Sequence, residues 1–210
     1  MSEPATRADR IDRVVPGVRH WSIHDDRINF RSDAYAVDGP EGAVLIDPLP
    51  LTEAAFEELG PVAAIVLTSG HHQRSAWSFR RELGGVEVLA PRGAAGLEEE
   101  PDAVFGDGDP LPNGLRAVEA PGVGEEHFTL RWTAPDGREV LFSSDLFMRG
   151  EAGALALIPD KYSKDPQALR RSARAAAETM AETVCPAHGA PAVSGGALAM
   201  RAALAGVSGG

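Results

Sequence analysis

The chain has 210 residues, 43% apolar and 24% charged, the balance of one ordinary globular domain long enough to bury a full core. Its net charge of -11 would repel phosphate backbones and counts against a nucleic-acid partner, and no apolar run approaches the roughly 20 residues that cross a bilayer. The single cysteine, Cys185, excludes an intrachain disulfide, and the polar N-terminus lacks an apolar h-region, so a cytoplasmic location is expected.

In chain order, residues 1–13 read as a flexible arm, and residues 14–210 as one domain. Val18 to Ile23 suits a first strand. Ala34 to Asp38 and Gly42 to Ile46 suit two more, joined by the turn Gly39-Pro40-Glu41. Thr52 to Leu59 carries acidic residues in its first turn and is followed by Gly60-Pro61, which predicts a short helix. Val62 to Leu67 is a continuous apolar run of buried-strand length. Ser75 is expected to cap a helix running to Leu83 and stopping at Gly84-Gly85; Val86 to Leu89 follows as a strand. Leu115 to Glu119, Phe128 to Thr133 and Glu139 to Ser143 are β-rich, with a turn at Pro135-Asp136-Gly137 between the last two. Residues 147–164 show no clear periodicity and read as a loop or lid. Asp165-Pro166 predicts a helix start, with the helix running to about Glu182. Thr183 to Cys185 is a short strand, and Ser194 to Ala205 a last helix.

Chemistry-bearing residues gather at strand ends. The apolar run ending at Leu67 leads into Thr68-Ser69-Gly70-His71-His72-Gln73-Arg74. Upstream lies Leu45-Ile46-Asp47, and further along come Ala120-Pro121-Gly122-Val123 with His127 four residues on, Phe142-Ser143-Ser144-Asp145, and Pro186-Ala187-His188-Gly189. In order and rough spacing these segments resemble the signature of the metallo-β-lactamase superfamily, over residues 14–192. The resemblance implies an α/β fold: an αββα sandwich of two mixed sheets flanked by helices, with glyoxalase-II-like hydrolases among its relatives. In that family the first loop supplies His, His, Asp and His, a Pro-Gly-His turn supplies another His, a Gly-Asp bridges two metals, and a final His-Gly completes the set. Such a metal lowers the pKa of a bound water from about 16 to about 7 and polarises a substrate carbonyl.

The ligand chemistry departs from that pattern. With Thr68 as the anchor, His71 matches the second His, while Ser69, Gln73 and Arg74 stand where the other three ligands would be. Val123 replaces the His of the second loop. His127 cannot take over, because four extended residues span up to about 13–14 Å. Asp145 and His188 match the bridging carboxylate and the final His, and Asp47 matches a residue that supports the ligand loop.

The resemblance therefore implies that the dinuclear site is lost. His71, Asp145, His188 and Arg74 are the candidate catalytic residues, with Arg74 expected to replace a lost cation and pair with Asp145. The first expectation is a small-ligand pocket without a cofactor, with or without acid–base chemistry from the two histidines. The alternative is a single zinc or iron ion on His71, Asp145 and His188, hydrolysing thioesters, lactones or related acyl substrates. A non-catalytic scaffold or interaction module is the third. His72, His20 and His24 are expected at the surface, Cys185 buried and inert, and Trp77 in the core or a pocket wall.

Overall fold

The computed structural model describes residues 3–150 and 153–207. Seven strands form one mixed sheet in sequence order: β1 (Asp12–Val15), β2 (Val18–Asp25), β3 (Phe30–Val37), β4 (Ala43–Ile46), β5 (Val62–Val66), β6 (Glu87–Pro91) and β7 (Ala103–Phe105). The pairs from β1 to β4 are antiparallel and those from β4 to β7 parallel. A second sheet has the order β13-β10-β9-β8, from β8 (Arg116–Glu119), β9 (Phe128–Thr133), β10 (Glu139–Ser144) and β13 (Thr183–Pro186). In it β10 pairs parallel with β13, and the other pairs are antiparallel. A separate hairpin joins β11 (Phe147–Arg149) to β12 (Leu155–Leu157).

Period-two alternation on strands buried on both faces makes two sets of contacts per strand. On the inner faces, Val44, Ile46 and Val66 meet Leu130, Val140 and Phe142 of the second sheet. On the outer face of the large sheet, Leu45, Ile65 and Trp21 pack with the helices α1 (Glu53–Leu59) and α2 (Ala76–Glu82). Leu141 and Val184 pack outward onto α3 (Pro166–Ala177) and α4 (Gly196–Val207). The four layers are thus helix, sheet, sheet, helix, as the resemblance implies. Local chemistry agrees: the Asp165 carboxylate accepts from the N–H groups of Gln167 and Ala168, with Pro166 in the first turn of α3.

Four details differ from the sequence expectation. Residues of the expected arm are engaged: Asp12 and Arg13 belong to β1, and Ala8 bridges to Leu51. Residues 147–164 hold the β11–β12 hairpin, too short to show periodicity, with Phe147, Leu155 and Leu157 buried. The strand β7 was not expected at all. The helix α3 stops at Ala177, where Thr179 Oγ1 donates to the Ala176 carbonyl and competes with continuation of the helix.

At one edge of the sandwich the loops that follow β4, β5, β10 and β13 meet. This edge carries Asp47, the segment from Thr68 to Arg74, Asp145 and His188.

Candidate active site

The loop after β5 does not stay extended. A 3₁₀ turn over Gly70–His72 intervenes, and with three residues per turn, adjacent side chains point about 120° apart. The turn buries His72 and leaves His71 exposed. His71, expected as a ligand, therefore lies outside the site, and His72, expected at the surface, takes its place. Gly70 permits the turn: a Cβ there would lie 2.2 Å from the Ala95 carbonyl oxygen.

Among the described residues, one trio of candidate ligand side chains converges: donor atoms of His72, Asp145 and His188 lie within 4.8 Å of one another. His72 Nε2 is 3.1 Å from Asp145 Oδ2, and His188 Nε2 is 3.2 Å from Asp145 Oδ1. The other ring nitrogens are committed. His72 Nδ1 lies 3.0 Å from Asp47 Oδ2, and His188 Nδ1 donates to the Arg31 carbonyl at 2.7 Å. Since those partners are acceptors, each neutral ring would turn a lone pair toward Asp145.

Two lone pairs facing a carboxylate repel one another, so the cluster needs a cation or a proton. Burial pushes the His72 imidazole down, but the charges of Asp145 and Asp47 outweigh it and raise its pKa to about 9. Burial likewise pushes the Asp145 carboxyl up, and the two histidines more than reverse this, holding it well below its ordinary range. A proton on His72 relieves one side only. Asp145 Oδ1 is buried without a well-directed hydrogen bond, although His188 Nε2 is within ion-pair distance, because the ring nitrogen is poorly aligned with it.

The surroundings hold these groups in place. Asp47 accepts from the backbone N–H of Thr68 at 2.8 Å and from its hydroxyl at 2.6 Å. The Asp145 N–H donates to His127 Nε2 at 3.2 Å, while His127 Nδ1 donates to the Ala120 carbonyl at 2.9 Å. Burial keeps the His127 pKa below its ordinary value, consistent with its accepting role. His127 is thus a support for the Asp145 turn. Backbone strain concentrates here: Asp47, Arg74 and Ser144 all have positive φ, at 47°, 40° and 48°, each costing about 1–3 kcal/mol that the surrounding contacts must offset.

The residues expected to stand at lost ligand positions have partners of their own. Gln73 donates to the Gly96 carbonyl and accepts from Trp77 Nε1 and the Glu98 N–H, tying the ligand loop to residues 96–98. Val123 packs against the apolar layer around α3, and Ser69 is buried. Arg74 is buried and donates through Nη1 to the carbonyls of Asp33 (2.8 Å) and Asp47 (3.2 Å), while the imidazoles of His72 and His188 face the Asp145 carboxylate at 3.1 and 3.2 Å.

A second polar cluster, missed in the sequence, backs the His188 loop. His20, expected at the surface, is buried and meets Asp33 Oδ1 at 2.7 Å; Arg31 also reaches Asp33. Asp33 Oδ2 accepts from the Gly189 N–H at 2.6 Å. The parity shared with Val18 could have flagged His20 as inward-facing. His24 is exposed, and Cys185 and Trp77 are buried, as expected. Burial pushes the Cys185 thiol well above its ordinary pKa.

Comparison with known proteins agrees with the fold. The profile of the Metallo-beta-lactamase superfamily matches residues 11–205. The chain belongs to the metallo-β-lactamase superfamily. Among solved structures it is similar to the DIM-1 metallo-β-lactamase, with 19% identity and a TM-score of 0.73 over 97% of this chain and 99% of that one. An archaeal metallo-β-lactamase superfamily protein from Sulfolobus tokodaii gives 20% identity and a TM-score of 0.70 over 92% and 87% of the two chains. A metallo-β-lactamase from Cronobacter sakazakii described by a HARLDQ motif gives 17% and 0.65 over 85% and 80%. At these identities the likeness extends to the fold. No curated protein matches the chain.

Proposed function

We propose that this superfamily member holds a single divalent metal, zinc or iron, on His72, Asp145 and His188, and hydrolyses small acyl substrates such as thioesters or lactones. The observation that carries this reading is the convergence of two Nε2 atoms and the orphaned Asp145 Oδ1. Ligands of a tetrahedral ion at about 2.1 Å sit roughly 3.4 Å apart, so the 4.8 Å cluster closes on an ion with a small inward movement. Such an ion would supply Lewis acidity and an activated water. The protein's own part is orientation. Asp47 fixes the His72 tautomer, the Arg31 carbonyl fixes that of His188, and His127 anchors the Asp145 turn.

A metal-free small-ligand pocket is the second reading, favoured by the placement of His72 between two carboxylates, 3.0 Å from Asp47 and 3.1 Å from Asp145, which favours a protonated imidazole and so a positive charge within the cluster. The sequence argued for that pocket through an Arg74–Asp145 pair, and this support weakens once His72 and His188 are the partners of Asp145.

Elemental mass spectrometry on untagged protein, before and after dialysis against zinc, iron and manganese, separates the two. About one metal per chain, lost in His72→Ala and His188→Ala and retained in His71→Ala, supports the mononuclear site. No metal under any loading supports the metal-free pocket.

A further inference from the structure

The two candidate histidine ligands sit on loops far apart in sequence, and neither loop alone sets their separation. Each is tied to one aspartate. His72 and Thr68 bond to the Asp47 carboxylate. The loop of His188 is bound to β3 three times, twice at Asp33 and once at Arg31: Asp33 N–H to the Ala187 carbonyl at 2.8 Å, Gly189 N–H to Asp33 Oδ2 at 2.6 Å, and His188 Nδ1 to the Arg31 carbonyl at 2.7 Å. One nitrogen, Arg74 Nη1, donates to the backbone carbonyls of both aspartates.

We infer that Arg74 is a positioning residue: its guanidinium clamps the Asp33 and Asp47 segments together and so sets the spacing of His188 and His72. The chain of bonds runs from His72 through Asp47 to Arg74, then through Asp33 to the His188 loop. Three features support the clamp. Arg74 is 4% exposed, so its bonds are not shared with bulk water. Its backbone is held at φ 40°, a conformation that an arginine keeps only when its surroundings demand it. A planar guanidinium with fixed donor directions can hold two carbonyls at a set angle. Arg74 stands where the family has a further metal ligand. In this chain that position bridges the two loops through hydrogen bonds instead.

The inference rests on reading His72, Asp145 and His188 as one site, so its test needs a metal-independent readout. Arg74→Met removes donors and charge at similar length; Arg74→Lys keeps a cation and donors. In metal-free protein, amide hydrogen exchange is followed at Thr68 and Gly189, the N–H groups bonded to Asp47 and Asp33. Zinc affinity is measured alongside by chelator competition. Arg74→Met should speed exchange at both amides on the order of tenfold more than in strands remote from the site. It should also weaken zinc on the order of 10- to 100-fold, with partial recovery of both in Arg74→Lys. Unchanged exchange and affinity in Arg74→Met overturn the clamp. Faster exchange in a protein whose parent binds no zinc upholds the clamp and overturns the mononuclear reading. If Arg74→Met does not fold, Arg74→Lys decides: wild-type exchange at both amides together with wild-type zinc affinity overturns the clamp, and a partial loss of both upholds it.

Discussion

Replacing Asp33 tests the second polar cluster. Its carboxylate is buried and takes contacts from His20 Nε2 at 2.7 Å, Arg31 Nη2 at 2.7 Å and the Gly189 N–H at 2.6 Å. In Asp33→Ala the Gly189 N–H loses its acceptor in a buried place, at about 1–3 kcal/mol. Removing one partner of a buried charge pair costs about 3–5 kcal/mol when the other stays buried. The Arg31 side chain is 43% exposed and regains water, so the combined loss should be about 2–4 kcal/mol. Urea unfolding at pH 7 measures it. Asp33→Asn then isolates the charge. Burial pushes the Asp33 carboxyl up, but the bonds from His20 and Arg31 outweigh this and hold its pKa below the ordinary value. A lowered folded pKa means that the charge stabilises fully above about pH 4 and that this contribution fades as pH falls through the folded value. The gap between wild type and Asp33→Asn should therefore narrow below about pH 4. A loss under about 1 kcal/mol for Asp33→Ala, or a gap that widens on acidification, refutes this account.

Other substitutions probe the ligand loop and the core. Gly70→Ala should destabilise by about 1–3 kcal/mol or prevent folding, since its Cβ would overlap the Ala95 carbonyl at 2.2 Å and backbone must move; thermal unfolding checks this. His127→Phe keeps the bulk but strips the acceptor for the Asp145 N–H, and should weaken zinc on the order of tenfold in a competition titration. The Cys185 thiol should resist alkylation at pH 8 in native protein and react only once urea unfolds the chain, because it is buried and its pKa is raised; fast native labelling would contradict the structure.

How far the sequence alone reached follows from the kind of signal each feature leaves. Apolar runs such as Val62 to Leu67, the Asp165-Pro166 helix start and the ordered strand-end motifs carry the fold, because burial, capping and turn chemistry are written locally. Asp145 and His188 were legible for the same reason: each follows a short apolar strand directly, so its place at the sheet edge is set by the strand. The choice between His71 and His72 was not. It depends on a 3₁₀ turn made possible where Gly70 meets Ala95, a contact between segments distant in sequence. Arg74 was identified, but its bonds to the Asp33 and Asp47 carbonyls were not foreseen, since one lies on β3 and the other just after β4, and they become neighbours only once the sheet forms. The partners of His20, Asp33 and His127 were not legible in the sequence because their roles lie in long-range hydrogen bonds. Local pattern thus determined the strands and helices of an α/β domain, and the family resemblance implied the layers and the edge where the site sits. Tertiary contact decided which side chains face one another across it, because side-chain direction at a loop depends on what the loop packs against.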